Sequence, residues 1–137
     1  MIGLVIVSHS HRLAQGVQEL ADQMSTDDIT IVAAGGLMDE HGAFHIGTDA
    51  VRIAQAIQEA WSEDGVLILL DMGSAVLSTE VALEMLPPAM RERCRMSNAP
   101  LVEGAIVAAL EASLGRSLEE VNQAAEAASH LQKIAQE

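Results

Sequence analysis

The chain has 137 residues, 50% of them hydrophobic, and a formal net charge of −13. That acidity argues against nucleic acid and anionic membrane as partners and favours a soluble protein whose partners present basic patches. Cys94 is the only cysteine, which excludes an intrachain disulfide and suits a reducing cytoplasm, and the N-terminal apolar run carries no basic leader and stops at Ser8, so no signal peptide is expected.

The first element is the apolar run Met1 to Val7, followed by Ser8-His9-Ser10-His11. Continuous apolarity predicts a parallel strand buried on both faces, with His9 at its carboxyl end. Ser10 caps a helix to about Met24, whose stripe is Leu13, Val17, Leu20, Ala21 and Met24. Ile29 to Ala34 reads as a second buried strand, and Gly35 to Gly47 as a loop. Thr48 is expected to cap a second helix with Ile53, Ala54, Ile57 and Trp61 inward. Gly65 opens a third strand, Val66 to Leu70, too short to span a bilayer, and Asp71 closes it. Met72-Gly73-Ser74 turns into a third helix with Leu77, Val81, Met85 and Leu86 inward, stopped by Pro87-Pro88. A fourth strand is expected around Cys94-Arg95-Met96. Ser97 to Pro100 begins a fourth helix to about Leu114, ended by Gly115. Ser117 to Glu120 is a capping box for a last helix with the stripe Leu118, Val121, Ala125, Ala128 and Leu131.

Strands and helices alternating in this way predict an α/β fold. Its centre is a doubly wound, mainly parallel four-stranded sheet with helices on both faces, as one domain over residues 1–137. Ser8-His9, Gly35-Gly36, Asp71 and Ser97-Asn98 then line one edge of the sheet. An imidazole there, at a helix N-terminus, is placed to carry an anion such as a phosphoryl group. It is a competent nucleophile when one nitrogen is free and the other proton is held, and Asp71 is the expected partner. The plainer reading makes His9 a solvent-facing cap. His11, in the first helical turn, is read as surface. Asp49 is either a helix-dipole carboxylate or a polar contact at the active edge. Gly35-Gly36 and Gly73-Ser74 allow backbone to approach a ligand. The supporting set is therefore Ser10, Gly36, Thr48, Asp49, Gly73 and Ser74.

Asp39, His41 and His45 match no strong ligand pattern, so no metal is expected. Walker A and G-x-G-x-x-G sequences are absent, and Arg12 and Arg52 are the only cationic side chains of the first ninety or so residues. The chain is not expected to bind ATP by itself, and no cofactor is expected. The cluster Arg91, Arg93, Arg95 reads as a solvated or ion-paired face.

Four segments, in order, carry a resemblance: Ile6-Val7-Ser8-His9-Ser10, Gly47-Thr48-Asp49, Asp71-Met72-Gly73-Ser74-Ala75, and Ala99-Pro100-Leu101-Val102-Glu103-Gly104-Ala105. Together they resemble the DhaM family, phosphotransferase subunits of phosphoenolpyruvate-dependent dihydroxyacetone kinases. That family is similar in turn to the IIA domains of mannose-type sugar transporters of the phosphotransferase system. The resemblance implies a cytoplasmic relay in which the phosphocarrier HPr phosphorylates His9. The group then passes to ADP on the DhaL subunit, and the ATP formed phosphorylates dihydroxyacetone held by DhaK. An orienting aspartate in the mannose-type relatives matches Asp71. A homodimer is implied, without its geometry. Some members continue into HPr-like and enzyme-I-like domains, and this sequence stops at Glu137, so those partners are expected as separate chains. The alternatives are a IIA component of a mannose-type transporter and a non-catalytic anion-binding module.

Overall fold

The apolar runs at Gly3–Ser8 (β1), Ile31–Gly35 (β2) and Val66–Leu70 (β5), with the short Cys94–Met96 (β6), form one parallel sheet in the order β2-β1-β5-β6. A computed structural model describes residues 1–135; Gln136 and Glu137, the end of the expected 1–137 domain, lie outside the described residues. The register runs from Leu4 opposite Ile31 to Ser8 opposite Gly35, and from Gly3 opposite Val66 to Val7 opposite Leu70. The carboxyl ends of β1 and β5 are therefore side by side.

Because strand side chains alternate, the two faces of the sheet carry separate cores. Leu4, Ile6, Leu67 and Leu69 meet helices His11–Asp22 (α1), Leu101–Ser113 (α5) and Leu118–Ala127 (α6). Val5, Val7, Ile68 and Leu70 meet Ala50–Ala60 (α2) and Ser74–Glu84 (α3). Burying a Val or Leu side chain contributes about 1.5–3 kcal/mol, so these central strands hold much of the fold. Small residues set the spacing. A Cβ on Gly3 would lie 1.9 Å from the carbonyl oxygen of Ala60, so only glycine lets the end of α2 come this close to β1. The doubly wound arrangement agrees with the expectation, and Ser117 and Glu120 form the expected capping box on α6.

Several local expectations are corrected. The segment expected as a loop contains a small antiparallel pair, Leu37–Met38 (β3) with Phe44–His45 (β4). It has no long apolar run because it pairs only with itself. Thr48 does not cap α2. Asp49 does, its carboxylate accepting from the amides of Val51 at 2.9 Å and Arg52 at 3.5 Å. Trp61 is the C-cap of that helix and only half-buried. Leu13, Leu20 and Met24 are exposed, and α1 buries Ala14, Val17 and Ala21 instead.

The face of α3 is inverted. Leu77, Val81 and Met85 are 64%, 46% and 51% exposed, while Ala75, Thr79 and Ala82 are buried and Leu86 is buried just beyond. Both faces of this helix are apolar, so periodicity did not distinguish them, and the close approach to α2 selects the smaller residues. After Pro87 the chain forms one further turn, Pro88–Arg91 (α4). At the far end Leu131 lies past the helix and is exposed, following a 3-10 turn over Ala128–His130.

Candidate active site

The last residue of β1, Ser8, is fully buried, and the first residue after β5, Asp71, stands beside it. The backbone locks the pair together, since the Asp71 amide donates to the Val7 carbonyl at 3.1 Å. The Asp71 carboxylate then gathers donors. Ser8 Oγ donates to Oδ2 at 3.0 Å, the His9 amide to Oδ2 at 2.9 Å, and the Met72 amide to Oδ1 at 2.7 Å. Ser8 Oγ in turn accepts from the Ser10 amide at 3.0 Å. Burial works to raise the Asp71 pKa, but these hydrogen bonds, led by the His9 amide and ring, outweigh it and hold the carboxyl below its ordinary range.

An ionised carboxylate only accepts, which assigns the imidazole tautomer. His9 Nδ1 lies 3.0 Å from Asp71 Oδ1 and 3.1 Å from Oδ2, so Nδ1 carries the proton. Nε2 keeps its lone pair and accepts from Ser74 Oγ at 2.7 Å. The side chains are partly accessible, 29% for His9 and 19% for Asp71. Ser74 is the first residue of α3, and the helix N-cap, Gly73, makes no side-chain cap bond. Gly73 has φ +59°, and a Cβ there would meet nothing within 4 Å, so this turn is open to an incoming group. A lone pair on Nε2 beside a helix amino end that no side chain caps has the geometry needed for a nucleophile toward an anionic group such as a phosphoryl group.

The other expected residues divide. Ser10 caps α1 by accepting from the Leu13 amide at 3.1 Å. Thr48 Oγ1 pairs with Ser78 Oγ at 2.6 Å and reaches the Ser74 carbonyl at 3.5 Å, tying the start of α2 to α3 beside His9. The amide of Gly47 donates to the His9 carbonyl at 2.9 Å. Asp49 spends its carboxylate on the α2 amides. At Gly36, with φ +74°, a Cβ would lie 3.1 Å from His11 Cβ, so the glycine admits a close approach of the start of α1. Ser97 and Asn98 stand at the end of β6: Ser97 Oγ accepts from the Ala99 amide at 3.1 Å, and the Asn98 amide donates to Glu126 of α6 at 3.0 Å.

His11 is not the plain surface residue expected. It is half-buried and stacks on Phe44 of β4, ring centroids 3.5 Å apart and planes within 5°. The Arg52 guanidinium lies 4.9 Å from the same ring and donates to the Gly35 carbonyl at 2.7 Å. Between α1 and the β3–β4 pair lies a cleft of about 620 Å³, lined by Ser10, His11, Arg12, Phe44, His45 and their neighbours. His45 Nε2 is 2.7 Å from Asp39 Oδ2, a pairing that lowers the Asp39 pKa. Among the described residues no three His, Cys, Asp or Glu side chains come together as metal ligands. Sequence reasoning passed over Ser8 and Ser78 as supports and Phe44 as the stacking partner. The one legible signal was Ser8, a polar residue ending an apolar strand.

Three comparisons bear on this geometry. The family model described as "PTS system fructose IIA component" matches residues 3–122. The chain is 47% identical over 122 residues to the phosphoryl donor subunit DhaM of the PEP-dependent dihydroxyacetone kinase of Escherichia coli strain K12, covering 88% of this chain and 25% of that protein. It thus spans about a quarter of the length of that relative and of those from Providencia stuartii, Klebsiella michiganensis and Pantoea ananatis. With the DhaM subunit of dihydroxyacetone kinase 2 of Listeria innocua it shares 38% identity, over 90% of this chain and 95% of that one. A crystal structure of EF1359, a protein of unknown function, is similar with a TM-score of 0.76 and 33% identity, over 92% of this chain and 94% of that one.

Proposed function

The chain belongs to the family of PTS system fructose IIA components, with its DhaM members, and from that premise we propose that it is a phosphohistidine carrier of a dihydroxyacetone kinase system. It takes a phosphoryl group from HPr onto His9 and passes it to ADP on a DhaL subunit, the partner of DhaK. In this reading the chain is a relay and the nucleotide chemistry belongs to DhaL. The observation that carries it is the His9 network, with Nδ1 held by Asp71 and Nε2 directed at the open amino end of α3.

The mechanism follows from the tautomer. The Nε2 lone pair attacks the phosphorus of the donor's phosphohistidine in line, the donor's N–P bond breaks, and positive charge develops on the His9 ring. Asp71 stabilises that charge through Nδ1–H without taking the proton. The α3 amino end and Ser74 meet the phosphoryl oxygens. Reversal of the same step hands the group on. Residues 1–137 act as one such carrier domain, in the cytoplasm; among the described residues no helix is long and apolar enough to cross a membrane. The carrier is a homodimer, and the exposed stripe Leu77, Val81, Met85 is the surface that pairing would cover.

Incubation with phosphoenolpyruvate, enzyme I and HPr, followed by intact mass, tests the reading. One added phosphoryl group, lost on addition of ADP-loaded DhaL, is expected. No mass gain would leave an anion-binding module on this fold. A gain that drains to a sugar-transporter IIB protein and not to DhaL would place the chain in a mannose-type transporter.

A further inference from the structure

The chain carries seven Lys and Arg against twenty Asp and Glu, so an unneutralised cation is unusual here. Arg52, Arg91 and Arg93 hold backbone carbonyls, and Arg95, Arg116 and Lys133 are paired with carboxylates. Arg12 alone, among the described residues, has neither an ion pair nor a hydrogen bond from its guanidinium, and it is exposed. Its position makes this odder. It is the second residue of α1, where a cation opposes the helix dipole, and no acidic residue shares that turn. It lies three residues from His9 and lines the cleft with Ser10, His11 and His45. Folding does not use this charge, and the dipole works against it.

Resting on the carrier reading above, we propose that Arg12 contacts the phosphates of the nucleoside diphosphate that a partner presents to His9. Two partners visit this edge. The donor brings a single phosphoryl group, whereas the acceptor brings a diphosphate that leaves as a triphosphate. The acceptor therefore presents the larger density of phosphate oxygen, which a guanidinium fork matches in two-point hydrogen bonds. In the acceptor step the Nε2–P bond breaks, its electron pair returns to Nε2, and a P–O bond forms to the terminal diphosphate oxygen. Negative charge gathers on the β- and γ-oxygens as this happens, and an arginine supplied by the facing protein is a known means of stabilising it.

The test is single-turnover transfer with Arg12→Gln and Arg12→Lys, measured separately for phospho-HPr to His9 and for phospho-His9 to DhaL loaded with Mg-ADP. Arginines supplied in trans contribute on the order of 10³-fold or more, so Arg12→Gln is expected to slow the acceptor step at least about tenfold. The donor step should stay within about twofold, and Arg12→Lys should recover only part of the loss because it restores charge without the fork. An unimpaired acceptor step, equal losses in both steps, or full recovery by lysine would overturn the proposal. The intact donor step also reports that the variant is folded. A wild-type chain that accepts nothing at His9 would instead remove the carrier reading itself, and this proposal with it.

Discussion

The two histidines of Ser8-His9-Ser10-His11 have different partners, and their variants should behave differently. His9→Ala should abolish phosphorylation, whereas His11→Ala, which removes a stack on Phe44, should leave most of it, as read by intact mass. The modified protein should lose its phosphoryl group in acid and keep it in base, as a phosphoramidate does; survival in acid would point to a serine. Asp71→Asn should slow transfer by about 2–4 kcal/mol, roughly 30- to 900-fold, with the fold intact. The same residue sets a pH limit. Its folded pKa lies below the ordinary 3.8, so its contribution to stability is complete above that value and is lost as pH falls through the lower folded one. Acid unfolding of wild type and Asp71→Asn should therefore converge at low pH and diverge above it.

At the scale of elements, the helix starts are where the structure departs most from expectation. Asp49→Ala should cost about 0.5–2 kcal/mol as an N-cap loss, whereas Thr48→Ala removes no cap and acts on the link to Ser78 instead. Denaturant unfolding of the two variants separates these roles. The inverted face of α3 is open to an equally direct measurement. Leu86→Ala should cost about 2–5 kcal/mol because Leu86 is buried. Leu77→Glu, on the exposed stripe, should change the stability of the single chain, measured at a concentration low enough to keep it monomeric, by no more than about 0.5 kcal/mol. In sedimentation equilibrium the same substitution should yield a monomer where the wild-type chain is the proposed dimer; a dimeric variant would remove the stripe as the pairing surface.

The whole molecule is acidic, and its few cations are nearly all engaged within the fold. Mg-ADP should not bind the isolated chain, because a diphosphate adds about three negative charges and transfer requires positive charge or metal at the β- and γ-oxygens. Calorimetric titration checks this. Micromolar binding would make the chain a nucleotide enzyme in its own right and end the relay model.

The strands were legible because burial on both faces of a parallel sheet leaves an uninterrupted apolar run, as in Gly3–Ser8 and Val66–Leu70. From those runs alone His9 and Asp71 could be set at neighbouring strand ends, and the capping box at Ser117 was readable from local chemistry. Other features depended on contacts distant in sequence. Which apolar face of α3 turns inward depends on how closely α2 packs. Which of Thr48 and Asp49 caps α2 depends on where Ser78 stands. The stack of His11 on Phe44 joins a helix to a strand pair that leaves no periodic signal. A strand announces itself through its own side chains, but a helix with two apolar faces, or a polar residue with two possible partners, is decided only when the rest of the chain has taken its place.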